Sequence, residues 1–243
     1  MWNCLLEGSN SAVTDVKRDL KHFTDFLLPK LLPFNTGNKM RLNNKISLVT
    51  GAGSGFGRGI ASRFVEEGAK VVVADINQEA AEKVAEEIGE KAIAIVADVS
   101  QNTDVSAMIQ LTVERYGRLD ILVNNAGITH RNKLMTEVSE EEFDQIIAVN
   151  VKSVYLTAKH IVPLMKKQGS GVILNVASTA GVRPRPGLAW YNTSKGAMIA
   201  ATKAMAIELA PEKIRVNAIN PCLLYTSDAA DEGLGVDLGG RRI

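Results

Sequence analysis

The stretch Ile46-Ser47-Leu48-Val49-Thr50 runs straight into Gly51-Ala52-Gly53-Ser54-Gly55-Phe56-Gly57. A short apolar run ending in alternate glycines reads as a buried strand that closes in a tight turn. From Gly57 to Glu67 the apolar residues then take up helical spacing. Strand, glycine turn and helix, in that order, bring backbone N–H groups and a helix N-terminus against a pyrophosphate. Side chains in the turn would block that approach. The strict spacing GxGxxG fails, because Phe56 and Arg58 stand where the last glycine belongs. The wider spacing TGxxxGxG fits through Gly51, Gly55 and Gly57, with Ser54 and Phe56 inside the turn. No Lys follows these glycines as a P-loop requires.

The pattern repeats downstream. Apolar runs at Val71–Asp75, Ala92–Asp98, Leu119–Asn124, Val172–Ser178 and Arg215–Ile219 alternate with amphipathic stretches. Those stretches are Gln78–Ile88, Thr103–Tyr116, Ser139–Lys167 and Trp190–Leu209. Nearly all-apolar strands call for a sheet covered on both faces. The fold class is therefore α/β, a Rossmann-like doubly wound parallel sheet with helices on both faces. Asn77 is a cap for the second helix, Gly89 its stop, and Ser139 with Glu142 a capping box.

The chain has 243 residues, 46% hydrophobic and 23% charged, enough for one large domain with a real core. A net charge of +1 gives no general reason to expect a nucleic-acid partner. No run is long enough for a membrane span, and no secretory signal is visible. Cys4 and Cys222 make no disulfide framework, which fits a reducing, cytoplasmic setting. His22, His130 and His160 form no ligand spacing with them, so no metal site is expected.

Asp75 closes the second strand, where a carboxylate can accept hydrogen bonds from the adenosine ribose hydroxyls. It would repel a 2′-phosphate, and neither Ser54 nor Ile76 supplies a compensating positive charge. NAD is favoured over NADP on that ground.

Residues 42–221 resemble the short-chain dehydrogenase/reductase family. Besides the glycine turn, the match rests on Asp98-Val99, on Asn124-Asn125-Ala126-Gly127 and on Asn150 in VNVKSVY. Ser178 in NVAST and Tyr191 with Lys195 in YNTSK complete it. The branch it looks most like contains 3-oxoacyl-acyl-carrier-protein reductases and NAD-type sugar or alcohol dehydrogenases. The resemblance implies hydride transfer between a nicotinamide and a small-molecule carbonyl or alcohol. It implies catalytic roles for Asn150, Ser178, Tyr191 and Lys195. It also implies cofactor contacts at Asp98, Val99, Asn124, Ala126, Gly127 and Pro221. Family members are commonly homotetramers or homodimers.

The residues support part of this on their own. Tyr191 and Lys195, four apart on a predicted helix, share one face. A phenol ionises near ~10, and a neighbouring ammonium favours its phenolate. Such a phenol can give a proton to a substrate oxygen or take one from it. Ser178 ends a strand, where ligands meet an open parallel sheet, and its hydroxyl can polarise a carbonyl. By resemblance, Lys195 also holds the nicotinamide ribose, and Asn150 holds a water in a proton relay to it. Arg183 and Arg185, before Tyr191, and Arg131 could meet an acidic substrate.

Both ends depart from the pattern. Residues 1–39 read as an extension outside the fold, with a short amphipathic helix through Val16, Leu20, Phe23 and Leu27 and Met40 as a candidate start. A docking arm is the other reading of that segment. After Asn220-Pro221 the family has Gly where Cys222 stands, and the family's lid, last strand and last helix are not recognisable in residues 222–243. That tail reads as foreign sequence, which leaves a catalytically silent nucleotide-binding fragment as the alternative to a working enzyme.

Overall fold

The computed structural model describes residues 40–222. The helix expected around Val16–Leu27 and the tail after Cys222 lie outside the described residues. Among the described residues there are six strands and six α-helices. The first half is β1 (Ile46–Thr50), α1 (Gly55–Glu66), β2 (Lys70–Asp75), α2 (Gln78–Ile88), β3 (Ala92–Val96) and α3 (Asn102–Tyr116). The second is β4 (Ile121–Asn124), α4 (Glu140–Ile147), α5 (Ser153–Gln168), β5 (Gly171–Val176), α6 (Ala189–Leu209) and β6 (Ile214–Ile219). All pairings are parallel, in the order β3-β2-β1-β4-β5-β6. The chain winds outward from β1 to β3, then returns to lay β4 against β1. The C-terminal ends of β1 and β4 therefore diverge into a crevice, the place where such sheets take ligands.

Alternate strand residues serve opposite faces. Leu48, Leu122 and Ile173 pack with Met108 and Ile109 of α3 and with Leu156, Ile161 and Met165 of α5. Val49, Val73 and Val123 pack with Ile60 and Phe64 of α1 and with Ala81 and Val84 of α2. Both faces are thus covered, as all-apolar strands require. The strand β3 is the exception. It lies at an edge, its residues are half-buried, and Val96 is 51% exposed.

Local signals set most element ends. The Asn77 side chain accepts from the Ala80 N–H at 3.0 Å, and Gly89 at φ 92° ends α2. Ser139 Oγ accepts from the Glu142 N–H at 3.3 Å, while Glu142 Oε2 accepts from the Ser139 N–H at 3.0 Å. That capping box starts α4.

The single helix expected over Ser139–Lys167 is not continuous. A π-helical stretch, Ala148–Lys152, separates α4 from α5. Its wider turn directs Asn150 inward, where the residue is fully buried and bonds to the backbone of Ile128. Pro163 lies inside α5 without ending it. Among the described residues, no helix is long and apolar enough to cross a membrane.

Candidate active site

The glycine turn is built for close approach. Gly51 has φ +62°, and a Cβ on it would lie 2.8 Å from the Ala126 Cα. A Cβ on Gly57 would lie 2.3 Å from the Gly51 carbonyl oxygen. Neither position accepts a side chain, so the turn stays open to a ligand and α1 packs hard against β1. Ser54, the N-cap of α1, makes no side-chain cap bond, and the first turn carries no acidic residue. A helix N-terminus of this kind favours an anion.

Asp75 Oδ2 accepts from the Gly53 N–H at 2.9 Å, and Oδ1 accepts from the Asn77 N–H at 3.0 Å. The carboxylate thus ties the end of β2 to the glycine turn. A carboxylate has about four lone-pair sites, so acceptor capacity remains. Ile76 beside it is 68% exposed. Asp98 Oδ1 accepts from the Ser100 N–H at 2.8 Å, and Val99 is buried.

Thr50 and Asn125 join the two halves of the sheet. Thr50 Oγ1 accepts from the N–H groups of Asn125 and Ala126 at 3.0 and 3.1 Å. Asn125 Nδ2 donates to the carbonyls of Thr50 and Gly51 at 2.8 and 3.0 Å. Asn124, assigned to the cofactor groove by resemblance, is 4% exposed, and its side chain donates to Asn175 Oδ1 at 2.9 Å. Asn175 in turn donates to Thr202 Oγ1 at 2.8 Å, anchoring the strands to α6.

Beyond Asn125 the crevice meets the other chemistry-bearing groups. A Cβ on Gly127 would stand 3.2 Å from Lys195 Nζ and 3.3 Å from Asn150 Oδ1. Gly127 thus lies against both of these side chains. Lys195 is 4% exposed and donates to the Val176 carbonyl at 3.0 Å. Burial pulls its ammonium down from 10.5 to about 8. Its Nζ is 5.9 Å from the centroid of the Tyr191 ring. Tyr191 is partly exposed.

Ser178, just past the end of β5, accepts from the Ala180 N–H at 3.1 Å and caps a short 3-10 turn, Thr179–Gly181. Its hydroxyl hydrogen is left to donate. That turn presses on α6: a Cβ on Gly181 would lie 2.7 Å from the backbone of Lys195. The Pro221 carbonyl accepts from the Thr179 N–H at 3.2 Å, so the chain after β6 supports the same turn.

The Asn150 side chain is held by three hydrogen bonds. Its Oδ1 accepts from the Ile128 N–H at 2.9 Å. Its Nδ2 donates to the Ile128 carbonyl and to Ser194 Oγ, both at 2.9 Å. The amide braces the Ile128 loop against α6.

The sequence alone assigns no role to the side chains of Thr50, Asn125, Asn175 and Ser194 or to Gly181. Two of them carried a readable signal. Asn175 is a polar residue inside an apolar strand, and Ser194 lies three positions after Tyr191 on one helix.

A groove of about 700 Å³ lies alongside the 3-10 turn, lined by Leu134, Met135, Pro184, Arg185 and Asn192 among others. Arg185 therefore borders it as expected of that loop, whereas Arg183 and Arg131 are not among its lining residues. Among the described residues, no three His, Cys, Asp or Glu side chains could share a metal ion.

A sequence profile described as short chain dehydrogenase matches residues 45–233, running on beyond Pro221. The 4-formylbenzenesulfonate dehydrogenase of Comamonas testosteroni is 48% identical over 195 residues, covering 79% of this chain and 77% of that protein. The 3-ketoacyl-(acyl-carrier-protein) reductase from Brucella melitensis, solved in complex with NADH, superposes with a TM-score of 0.73 at 53% identity. That match covers 74% of this chain and 75% of the other. An NAD⁺-bound xylitol dehydrogenase superposes with a TM-score of 0.72 at 38% identity, covering 74% and 71%. With its parallel six-stranded sheet and its nucleotide-binding glycine turn, the chain belongs to the short chain dehydrogenase family of oxidoreductases.

Proposed function

We propose that this protein transfers a hydride between NAD(H) and a carbonyl or secondary-alcohol substrate. The candidates for that substrate are a 3-oxoacyl thioester, a sugar or a small alcohol. The observation that carries the reading is the pairing of Tyr191 with a buried Lys195, whose Nζ flanks Gly127 at the mouth of the crevice. Among the described residues this buried amine has no carboxylate partner, which is unfavourable for stability and points to a working role.

The residues present fit a dinucleotide. The turn has no room for side chains at Gly51 and Gly57, and the first N–H groups of α1 suit a pyrophosphate. Ser54, Gly55 and Phe56 would line that end, and Ala126 and Gly127 the middle. Asp98, Val99 and Ile76 would flank the adenine side, with Asp75 receiving the ribose hydroxyls. Pro221 would close the far end. When bound, the nicotinamide supplies or accepts the hydride.

The chain's own groups handle the oxygen and the proton. The Ser178 O–H donates to the substrate oxygen and polarises the carbonyl. In the reducing direction, the Tyr191 phenol gives its proton to that oxygen, and in oxidation its phenolate takes one. The Lys195 ammonium stabilises the phenolate and carries the ribose. Asn150 holds the loop at Ile128 in place beside them. By their names, the relatives given above act on 4-formylbenzenesulfonate, a 3-ketoacyl group and xylitol, each a carbonyl or an alcohol.

The test is turnover of a carbonyl panel, including an acetoacetyl thioester and 4-formylbenzenesulfonate, with each nucleotide. Tyr191→Phe should lower kcat by about 10²–10⁴-fold with NADH affinity unchanged. Full activity in that variant overturns the assignment. For cofactor choice, Asp75→Ser should shift the NADH/NADPH ratio of kcat/KM toward NADPH, because it removes the charge that opposes a 2′-phosphate. An unmoved ratio would remove Asp75 as the selector.

A further inference from the structure

Ser194 lies on the same helix as Tyr191 and Lys195 and is fully buried. Its hydroxyl has two partners. It accepts from Asn150 Nδ2 at 2.9 Å and donates to the Tyr191 carbonyl at 2.8 Å. Asn150 in turn binds both the N–H and the carbonyl of Ile128, just past Gly127. A single line of hydrogen bonds therefore runs from the β4 loop through the π-helical stretch to the backbone of Tyr191. Every member of that line is held by a partner at 2.8–2.9 Å.

We propose that Ser194 is a positioning residue, which sets the first turns of α6 against Asn150 and so fixes Tyr191 and Lys195 relative to the crevice floor. The proposal rests on the oxidoreductase reading given above. The physical basis is direct. The Asn150 amide has two hydrogens, one on the Ile128 carbonyl and one on Ser194 Oγ. Without the hydroxyl, the second hydrogen is buried with no acceptor, and α6 loses its tie to the π-helical stretch. The site relaxes by moving one element against the other, and the phenol moves with its helix. A displacement of about 1 Å in a group that transfers a proton can lower turnover by up to about 10²-fold without weakening ground-state binding. Networks of this kind also couple their members, so deleting either end releases the other.

The experiment uses the full chain as wild type and as Ser194→Ala, Asn150→Ala and the double variant. Two readouts are taken. The first is steady-state turnover of the panel carbonyl that wild type reduces fastest, with NADH affinity followed by fluorescence. Ser194→Ala should lower kcat by about tenfold or more, with KM and the NADH Kd within about twofold. The second is the urea midpoint of the unliganded proteins. Ser194→Ala should lower it in the wild-type background and leave it nearly unchanged where Asn150 is already Ala.

A Ser194→Ala protein with wild-type kcat overturns the proposal even if its urea midpoint falls, since the hydroxyl would then support only the fold. Additive midpoints in the double variant overturn the link to Asn150. Wild type that neither binds NADH nor turns over any carbonyl defeats the oxidoreductase reading itself, and this proposal with it. Active wild type beside an equally active Ser194→Ala protein defeats the proposal alone.

Discussion

Lys195 places an amine where water barely reaches, with the Val176 carbonyl as its hydrogen-bond acceptor. Burial lowers it from 10.5 to about 8 in the folded chain. The unfolded chain keeps the proton up to about pH 10.5, the folded chain only to about pH 8. Between those values the unfolded state binds more protons, so this group makes stability rise with pH. Below pH 8 both states are protonated, and the full penalty of about 3 kcal/mol applies. Replacing Lys195 with Met should therefore stabilise the unliganded protein at pH 7 by up to about 3 kcal/mol while abolishing turnover. The advantage should shrink steadily between pH 8 and 10.5. Urea denaturation of both proteins at pH 7, 9 and 10 measures it. A difference that stays constant over that range would mean that Lys195 keeps an ordinary amine's affinity for its proton. A residue whose removal strengthens the fold and ends the chemistry is held there for function.

At the scale of elements, the entry to the sheet depends on one carboxylate. Glu67, the C-cap of α1, accepts from the Arg41 N–H at 3.0 Å, from Arg41 Nη2 at 2.6 Å and from Arg63 Nη2 at 2.7 Å. The Arg41 guanidinium holds this carboxyl below its usual 4.5. Its contribution is present in full above pH 4.5 and is lost as pH falls through the lower folded-state value. Glu67→Gln should cost about 1–2 kcal/mol at pH 7 and nearly nothing well below pH 4, as acid-titrated urea melts would show. Equal losses at both ends of that range would rule out an ionic origin. Ser139→Ala, which removes the α4 cap, should cost about 1 kcal/mol. Elements of this kind were legible because their causes are local. Asn77, Gly89 and the Ser139–Glu142 pair each act within one turn of chain. The π-helical stretch was not legible, because its cause is distant: the backbone of Ile128 and the hydroxyl of Ser194 draw Asn150 inward. The same limit applied to the Asn124 side chain, whose partner, Asn175, lies on the next strand. The edge position of β3 was hidden for a similar reason, since Ala92–Val96 is as apolar as the central strands.

Across the whole molecule, the crevice is a seam between two half-sheets, β3-β2-β1 and β4-β5-β6. Thr50 and Asn125 close the seam at one end with four hydrogen bonds. The glycine turn belongs to the first half, while Tyr191, Lys195 and Ser178 belong to the second. A dinucleotide laid along the crevice touches both halves, so only the folded molecule offers it a complete site. Such a ligand must raise the melting temperature by mass action. At about 100 times its Kd the gain is about 2.7 kcal/mol, or roughly 5–10 °C for a domain of this size. NADH should produce that shift. At the same concentration NADPH should produce less if, as proposed, Asp75 receives the ribose, since Ile76 exposed beside it brings no cation. Differential scanning fluorimetry with both nucleotides separates the possibilities. Equal shifts would locate the affinity in the pyrophosphate and nicotinamide ends, and Asp75 would then serve chiefly to tie Gly53 and Asn77 together. The absence of a shift with either nucleotide, in a protein that still melts cooperatively, would mean that the crevice of this chain does not bind a dinucleotide.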